Sequence, residues 1–279
     1  MTIEFQCPIC DKPLHQHQAS QGYYCDNKHH FDRSEQGYWV FAKPQKQKPV
    51  GDSRQLMRSK RFLLGSGIFS PVIEAVADTI AKRFANVSAI SLLDFDAGDG
   101  YFLRALAPQL SAIAPSMAVQ PYGVIDAENA IFAAAKAQTP GWLCLGSTKK
   151  LPFADDNFDL VTVFDKPLKG KEWLRVVKPD GLVLLVIPGP RHLWQLKGHV
   201  YPDLTEKPFA PNLPSQVTIL HTESVSFTLQ VNGEQAITLL EMTPFAWRAN
   251  DKVRHTIGHS QFDSLEVDYR VLLVKRISA

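Results

Sequence analysis

The stretch that decides the fold is Ser91-Leu-Leu-Asp-Phe-Asp-Ala-Gly-Asp-Gly100, an apolar run followed by a glycine-containing turn. The apolar half predicts a buried strand, and residues 96–100 predict a tight turn that opens a helix over 101–111. In such a turn the backbone N–H groups and the helix N-terminus face a ligand, and glycine allows that ligand a close approach. Because Gly-x-Gly turns are common, this stretch alone is a weak signal.

Strand and helix patterns alternate on both sides of this turn. The expected strands of this region lie at 91–95, 119–125, 142–146, 158–164 and 181–187. The expected helices between them lie at 101–111, 127–138 and 170–177. This order predicts an α/β fold with a doubly wound, mostly parallel sheet. Two late strand-like runs predict an antiparallel edge, and they occupy 217–230 and 265–276.

Three of the four cysteines lie within nineteen residues near the N-terminus. Cys7-Pro-Ile-Cys10 is a Cys-x2-Cys knuckle, whose spacing lets both thiolates reach one zinc ion. Cys25 and His29 supply a second pair, with His30 as the alternative to His29. We therefore predict a structural Zn2+ site with four protein ligands, which leaves no open position for chemistry. Zinc would supply the folding free energy that so short a segment lacks.

Length and composition are typical of a globular protein: 279 residues, 45% hydrophobic and 21% charged, enough to bury a core without disulfides. The net charge is only +2, but residues 43–61 hold seven basic side chains against one acid, Asp52. No apolar stretch approaches the roughly 20 residues that span a bilayer, so we expect a cytoplasmic protein that does not bind membranes. In a reducing compartment the spaced cysteines favour metal over disulfides, and Cys144, in an apolar run, is expected to lie buried in a strand.

Further segments accompany the knuckle and the turn in one order. They are Pro49-Val-Gly-Asp-Ser53, Met57-Arg58, Arg61-Phe-Leu63, residues 151–164, Val177-Lys-Pro-Asp-Gly181, Pro188-Gly-Pro-Arg-His-Leu193, Leu196-Lys-Gly198, Tyr201 and Met242-Thr-Pro-Phe-Ala-Trp-Arg248. The turn, residues 151–164 and residues 177–181 together resemble class I S-adenosylmethionine-dependent methyltransferases. The whole series covers nearly the entire chain and resembles the bacterial large-subunit ribosomal RNA guanine-N1 methyltransferase family.

This resemblance implies three parts: a zinc-binding module over 1–42, a basic linker and helix over 43–70, and a Rossmann-like methyltransferase domain over 71–279. It also implies S-adenosylmethionine as the methyl donor, a ribosomal RNA hairpin that the zinc module helps to recognise, and a homodimer. The expected donor-binding residues are Asp94, Asp96, Gly98, Gly100, Asp126 and Leu151.

Two departures from the family pattern fall in the expected donor site. The family's turn has the pattern Asp-x-Gly-x-Gly-x-Gly, and Asp96 stands at the first glycine position. The next strand normally ends in an acid that holds the ribose hydroxyls; here that position is Ile125, and Asp126 follows one residue later. A one-residue slip reverses side-chain direction, unless the strand end bends. A carboxylate at position 96 would either repel the donor's carboxylate or attract its amino or sulfonium group.

A third departure follows the strand at 158–164, where the family tends to have an aromatic residue and a proline. This chain has Asp165-Lys-Pro167 in that loop, which is expected to face the methyl donor. Guanine N1 carries a proton with a pKa above neutrality, so its methylation needs a base or stabilisation of the anionic guanine. Asp165 is the candidate for that base, and a solvated loop acid is the alternative.

Six basic and aromatic residues are candidates for RNA contact: Arg58, Arg61, Arg191, His192, Trp247 and Arg248. The first two would bind phosphates, and a solvated helix face is their alternative. The middle pair follows the carboxyl end of a strand, where open α/β sheets bind ligands, and a structural role is their alternative. The last pair, with Phe245, would stack on an extruded base, although aromatic residues at this spacing are more often core.

Two functions remain open at the level of sequence. The first is RNA methylation, and the second is RNA or protein binding by a relative that has lost the donor. Asp96 and Ile125 favour the second function. A small-molecule methyltransferase is a weaker third option, because the zinc module and the basic linker would then have no use.

Overall fold

The computed structural model describes residues 2–41, 52–166, 168 and 170–277. The first part of the predicted basic linker therefore lies outside the described residues, including Lys43, Lys46 and Lys48, as does Pro167 of the loop after the strand at 158–164. Among the described residues, no single helix is both long and apolar enough to cross a bilayer; two helices, Arg54–Gly65 and Ser70–Arg83, satisfy that test only jointly, across a 69° bend.

Strands form one small and one large sheet in the described chain. The small sheet consists of β1 (His15–Gln16), β2 (Tyr23–Tyr24) and β3 (His30–Phe31), paired antiparallel. The strands of the large sheet are β4 (Trp39–Val40), β5 (Ala89–Phe95), β6 (Ala118–Ile125), β7 (Trp142–Leu145), β8 (Phe158–Phe164), β9 (Val177–Pro188), β10 (Val217–Asn232) and β11 (Gln261–Arg276). Their order across the large sheet is β10-β11-β9-β8-β5-β6-β7-β4.

The large sheet is parallel from β4 to β9, and β11 runs antiparallel to both β9 and β10. The antiparallel pairing expected at this edge is therefore present, with β10 outside β11. Beside β5 the strand order reverses direction, since β6 and β8 flank it on opposite sides. Ligands of open α/β sheets bind at such a switch point, beyond the carboxyl ends of the strands. This is the class I methyltransferase arrangement that the sequence predicts.

The helices of the described chain are α1 (Arg54–Gly65), α2 (Ser70–Arg83), α3 (Tyr101–Ile113), α4 (Glu128–Lys136), α5 (Glu172–Val176), α6 (Trp194–Val200), α7 (Gly233–Glu241) and α8 (Asp251–Gly258), with a 3-10 turn at Ala246–Arg248. The Ser53 side chain caps α1 by accepting the Leu56 N–H. Asn232 and Gln235 form a capping box at the start of α7. The break between α1 and α2 falls at residues 66–69, with Gly65 at the end of α1 and Gly67 inside the break. The short, polar helix α8 is not predicted from periodicity.

The N-terminal module is continuous with the large sheet rather than separated from it. β4 pairs with β7, with Trp39 opposite Cys144. The Trp39 and Trp142 rings stack at 4.9 Å, and Phe5 lies 4.9 Å from Trp142. Cys144 is fully buried in β7, as expected. The module and the edge of the sheet therefore share one aromatic core.

Candidate metal and cofactor sites

The four predicted zinc ligands converge on one point. The Sγ atoms of Cys7, Cys10 and Cys25 and Nδ1 of His29 all lie within 4.8 Å of one another. Cys10 Sγ is 3.7 Å from Cys25 Sγ, and His29 Nδ1 is 3.5 Å from the sulfurs of Cys7 and Cys25. Tetrahedral zinc, with ligands at about 2.0–2.3 Å, separates its ligand atoms by about 3.5–3.8 Å. The spacing therefore fits a closed, four-ligand zinc site.

The local backbone explains how two thiolates reach one ion. The N–H of Asp11 donates to the carbonyl of Cys7, and the N–H of Cys7 donates to the carbonyl of Lys12, so the knuckle closes on itself. A backbone hydrogen bond from Lys12 is the main cause that lowers the pKa of Cys10 to about 6, which favours the thiolate. His30, the alternative ligand, is exposed on β3 and stacks against Tyr24 at 6.3 Å, outside the ligand group.

A second site is a cavity of about 630 Å³ at the switch point of the large sheet. It lies beyond the carboxyl ends of β5, β6, β8 and β9, and is also bordered by α1 and by residues that follow α7. Its apolar lining includes Phe102 and Phe164, whose rings stack at 3.9 Å. Its carboxyl groups are those of Asp52, Asp94, Asp96, Asp99, Asp126, Asp165 and Glu241, against the amines of Lys60 and Lys166. The cavity therefore has room for a nucleoside-sized ligand and favours one with positive charge.

The glycine turn forms the floor of this cavity. Gly98 has φ +57° and Gly100 has φ +74°, in the left-handed region that favours glycine. A Cβ on Gly100 would lie 2.6 Å from the Thr139 hydroxyl, so packing also requires glycine there. A Cβ on Gly98 would meet no atom of the described residues within 4 Å. No neighbouring residue in the described part of the chain therefore requires glycine at position 98 for steric reasons. A ligand that approaches the backbone closely would require it.

The surroundings of Asp94 indicate which kind of ligand fits this cavity. The Asp94 side chain is buried, and its Oδ1 accepts a 3.4 Å hydrogen bond from the Thr162 hydroxyl, whereas its Oδ2 has no hydrogen-bond partner among the described residues. Burial, and then the nearby Asp96 carboxylate, raise the pKa of Asp94 to about 8. A buried carboxylate without a partner is costly unless it is protonated or meets a cation or donor. The amino and sulfonium charges of S-adenosylmethionine are such partners, so the donor fits this cavity.

Asp96, the departure in the turn, adopts the conformation that the missing glycine would have. Its φ is +62°, and its carboxylate lies 3.6 Å from the Lys166 amine. Aspartate tolerates the left-handed region better than most residues, so the turn keeps its shape. The ion pair with Lys166 also offsets part of the added negative charge.

The structure places the other expected donor-binding residues differently. Asp126 is exposed and lines the cavity, directly after the end of β6, while Ile125 is buried beside it. Leu151 is not among the residues that line the cavity. Its side chain is buried in the core that the zinc module shares with the sheet, and its N–H donates to Glu172. The position of Leu151 therefore does not support the donor-binding role that the family resemblance implies.

Asp165 lies in the donor cavity and is not a freely solvated loop acid. Its Oδ2 accepts a 2.9 Å hydrogen bond from the Tyr269 hydroxyl. Burial raises the pKa of Asp165 to about 6, and the Tyr269 hydrogen bond opposes that rise. Tyr269 lies 104 residues further along the chain, on β11, so no local sequence signal indicates this partner.

Comparison with known proteins agrees with this geometry. Residues 5–47 match a zinc ribbon family model described as RlmA, N-terminal. A Bacillus subtilis (strain 168) protein with the provisional name 23S rRNA (guanine-N(1)-)-methyltransferase YxjB is 27% identical over 277 residues, covering 96% of each chain. The 23S rRNA (guanine(748)-N(1))-methyltransferase of Streptomyces fradiae is 26% identical over 248 residues, covering 87% of this chain and 85% of that one.

The chain is similar to these methyltransferases over most of its length. The resemblance inferred from its motifs is thereby confirmed, and the strand order agrees with it. The fold, the cavity and the Cys/His group together identify a methyltransferase with S-adenosylmethionine as the methyl donor and zinc as a structural ion.

Two of the residue pairs suggested for RNA contact lie exposed on this methyltransferase. Arg58 and Arg61 project from α1, one turn apart, and have no ion-pair partner among the described residues. The Trp247 side chain is 74% exposed, and the Arg248 guanidinium lies 4.6 Å from its ring centre. Phe245 is buried instead, and its ring lies 6.0 Å from that of Tyr201.

The third pair has structural partners instead. The Arg191 guanidinium forms a bidentate ion pair with Glu266, at 2.6 Å for both bonds, and a further bond to Glu206. His192 is buried, its Nδ1 accepts the N–H of Asp268, and its ring lies 4.3 Å from that of Tyr269. Burial is the main cause that lowers the pKa of His192 to about 3, so it is neutral. These contacts favour a structural role for Arg191 and His192 over RNA contact.

Proposed function

We propose that this chain is an S-adenosylmethionine-dependent methyltransferase that acts on N1 of a guanine in a large-subunit ribosomal RNA hairpin, in the cytoplasm. The observation that carries the proposal is the position of Asp165 in the same cavity as Asp94 and Gly98. A base for the N1 proton and a site for the methyl donor therefore share one space. The names of the two relatives supply the substrate class.

The donor would be held by groups at the ends of β5 and β6. Asp94 would face its positively charged amino acid part, Gly98 would allow close approach of the backbone, and Asp126 would hold the ribose hydroxyls. The apolar side chains around Phe102 would cover the adenine. When bound, S-adenosylmethionine supplies an activated methyl group to a nucleophile in line with its methyl–sulfur bond.

Asp165 would remove the N1 proton. The Tyr269 hydroxyl occupies Oδ2, which orients the carboxylate and leaves Oδ1 without a hydrogen bond among the described residues. The N1–H bond breaks and the proton passes to Oδ1. The deprotonated N1 would then be the nucleophile for the methyl group that the donor supplies when bound. A pKa of about 6 keeps Asp165 ionised yet basic near neutral pH.

RNA would be held by the zinc module and by exposed basic residues. Arg58 and Arg61 on α1 border the side of the cavity formed by Met57 and Lys60. Trp247 offers an exposed ring for stacking. The homodimer implied by the family resemblance is part of the proposal, and light scattering at micromolar concentration tests it directly.

The test uses zinc-loaded protein, unmethylated 23S rRNA and S-adenosylmethionine carrying a labelled methyl group. We expect label in the RNA, and a reverse-transcription stop one nucleotide before the modified guanine, because an N1-methyl group blocks base pairing. Calorimetry should show donor binding. No heat at millimolar donor, with folded and zinc-loaded protein, contradicts the proposal.

A relative that binds RNA without methyl transfer is the second candidate, and Asp96 is the observation that favours it. The same calorimetry separates the two. Under the second candidate the protein binds the hairpin but neither the donor nor its demethylated product.

A further inference from the structure

A second cavity, of about 540 Å³, adjoins the donor cavity. Ile187 and Pro188, at the carboxyl end of β9, line both. The remaining wall comes from α6 and the segment that follows it, residues 201–212. A substrate group in this space would therefore lie beside the methyl donor without sharing its binding site.

Aromatic rings and one half-buried cation characterise the second cavity. Its rings are those of Trp194, Tyr201, Phe209 and Phe245. Flat, apolar walls of this kind suit a nucleobase. Tyr201 also connects the cavity to the exposed surface, because the Arg248 guanidinium lies 5.5 Å from its ring and 4.6 Å from that of Trp247. An extruded base could thus pass from the stacking surface into the cavity.

Two lysines and one aspartate line this cavity: Lys197, Lys207 and Asp203. Lys207 and Asp203 are exposed, whereas Lys197, in the Leu196-Lys-Gly198 segment, is half-buried. Its amine has no hydrogen bond or ion pair within 4 Å among the described residues. Burial lowers the pKa of Lys197, while the charges of Asp268 and Asp165 oppose that effect. A partly desolvated ammonium without a partner is available to a ligand acceptor.

The groups around Lys197 do not neutralise it. Asp268 is held by the Arg270 guanidinium, the Ser226 hydroxyl and the N–H of Arg191. His192 is buried and neutral at neutral pH. Asp165 faces the donor cavity, where the Tyr269 hydroxyl holds it. Neither carboxylate lies within ion-pair distance of Lys197, so its ammonium is available to whatever occupies the second cavity.

We propose that the second cavity receives the target guanine and that the Lys197 ammonium donates to guanine O6. This inference rests on the proposed function. When the N1 proton passes to Asp165, the negative charge on guanine is shared between N1 and O6, so a cation at O6 stabilises the anion as it forms. Lys197 would also select guanine over adenine, since adenine carries an amino group at that position and would repel a donor.

Methylation kinetics test the role of Lys197 in the reaction. Lys197→Met should lower kcat on 23S rRNA about 10- to 100-fold, because a hydrogen bond to a charged group is lost. Lys197→Arg should restore part of the rate, and donor affinity by calorimetry should not change. Lys82→Met, the same change at an exposed site on α2, is the matched control. A kcat for Lys197→Met equal to that of the control overturns the inference while the proposed function stands.

Binding of nucleotides tests the guanine pocket without methyl transfer. Saturation-transfer NMR with millimolar guanosine 5′-monophosphate should give a signal with the wild type and a much weaker one with Lys197→Met. The 2-aminopurine nucleotide, which stacks similarly but lacks O6, should respond equally to both proteins. A wild type that binds guanosine monophosphate through Lys197 but never methylates RNA contradicts the proposed function alone. Equal guanosine monophosphate signals from both proteins contradict the pocket.

Discussion

The metal site and the donor cavity differ in how they are assembled. The four zinc ligands lie between residues 7 and 29 and meet with the spacing that one tetrahedral ion requires. The donor cavity instead collects residues from Asp52 to Tyr269. It also carries an aspartate in place of a glycine. A local, closed site such as the zinc site is recognisable from residue spacing. In a site assembled from distant strands, such as the donor cavity, the effect of a substitution depends on the residues that pack around it.

Loss of one zinc ligand should have the largest effect. Cys25→Ala should reduce bound zinc from about one ion per chain to almost none and unfold the N-terminal module, because structural zinc contributes about 10–16 kcal/mol to folding in small modules. Since that module shares its aromatic core with β7, the melting temperature of the whole chain should fall as well. Metal analysis and calorimetry measure the two effects. His30→Ala, an exposed neighbour of the ligands, should retain zinc; zinc loss in that variant would mean that the ligand set is wrong.

Removal of the candidate base should have the next largest effect. Asp165→Asn should reduce kcat about 10²- to 10⁴-fold, because the amide cannot accept the N1 proton. Affinity for RNA, measured by filter binding, should stay within twofold. Asp263→Asn, on an exposed part of β11, is the matched control. An unchanged kcat in Asp165→Asn removes this residue from the mechanism.

The pH dependence of kcat is a second test of Asp165 as the base. A base acts only when ionised, so the wild-type kcat should fall as pH decreases through about 6 and level off above it. In Tyr269→Phe the midpoint should move to higher pH. The Tyr269 hydrogen bond stabilises the ionised form of Asp165, so its removal raises the pKa of Asp165. Rates measured from pH 5 to 8 give both midpoints. Identical midpoints in the two proteins would show that Asp165 does not control this limb.

Restoring the glycine should have a moderate effect on the donor cavity. Asp96→Gly should tighten donor binding by roughly tenfold. Without the Asp96 charge the pKa of Asp94 falls, so its ionised carboxylate is able to pair with the positive charges of the donor, and the left-handed turn is unstrained. Calorimetry with S-adenosylmethionine measures this change. Asp156→Gly is the control, since Asp156 also has a positive φ of 56° and an ion pair but lies outside the cavity. Weaker donor binding by Asp96→Gly would mean that Asp96 itself holds the donor.

The smallest effect is expected on the basic face of α1. Arg58→Ala should weaken RNA binding a few-fold and make the slope of log affinity against log salt shallower by roughly 0.7–0.9, as for one lost phosphate contact. Arg83→Ala, an exposed arginine at the end of α2, should leave the slope unchanged. Equal slopes for both variants would leave α1 as a solvated helix face.

Sequence reasoning succeeded where the determining interactions are local. The strand at Phe158–Phe164 has the predicted bounds, and the switch from period 2 to helical period located most other elements within a few residues. The helix α8 was missed because it is short and polar. Arg191 and His192 follow a strand end, as predicted. Their partners on β11, however, lie 75 or more residues away in sequence. No local pattern indicates such pairings.

The sequence by itself determined the zinc ligands, the α/β class and the position of the glycine turn, because residue spacing and hydrophobic period act over short distances along the chain. Only the tertiary structure decided the surroundings of Asp165, the base that we propose. Asp165 differs from an ordinary loop aspartate through its burial and the Tyr269 hydroxyl, and both come from packing β11 beside β9. It was also tertiary packing that left Oδ2 of Asp94 without a hydrogen-bond partner and Lys197 without an ion-pair partner among the described residues, each facing a cavity.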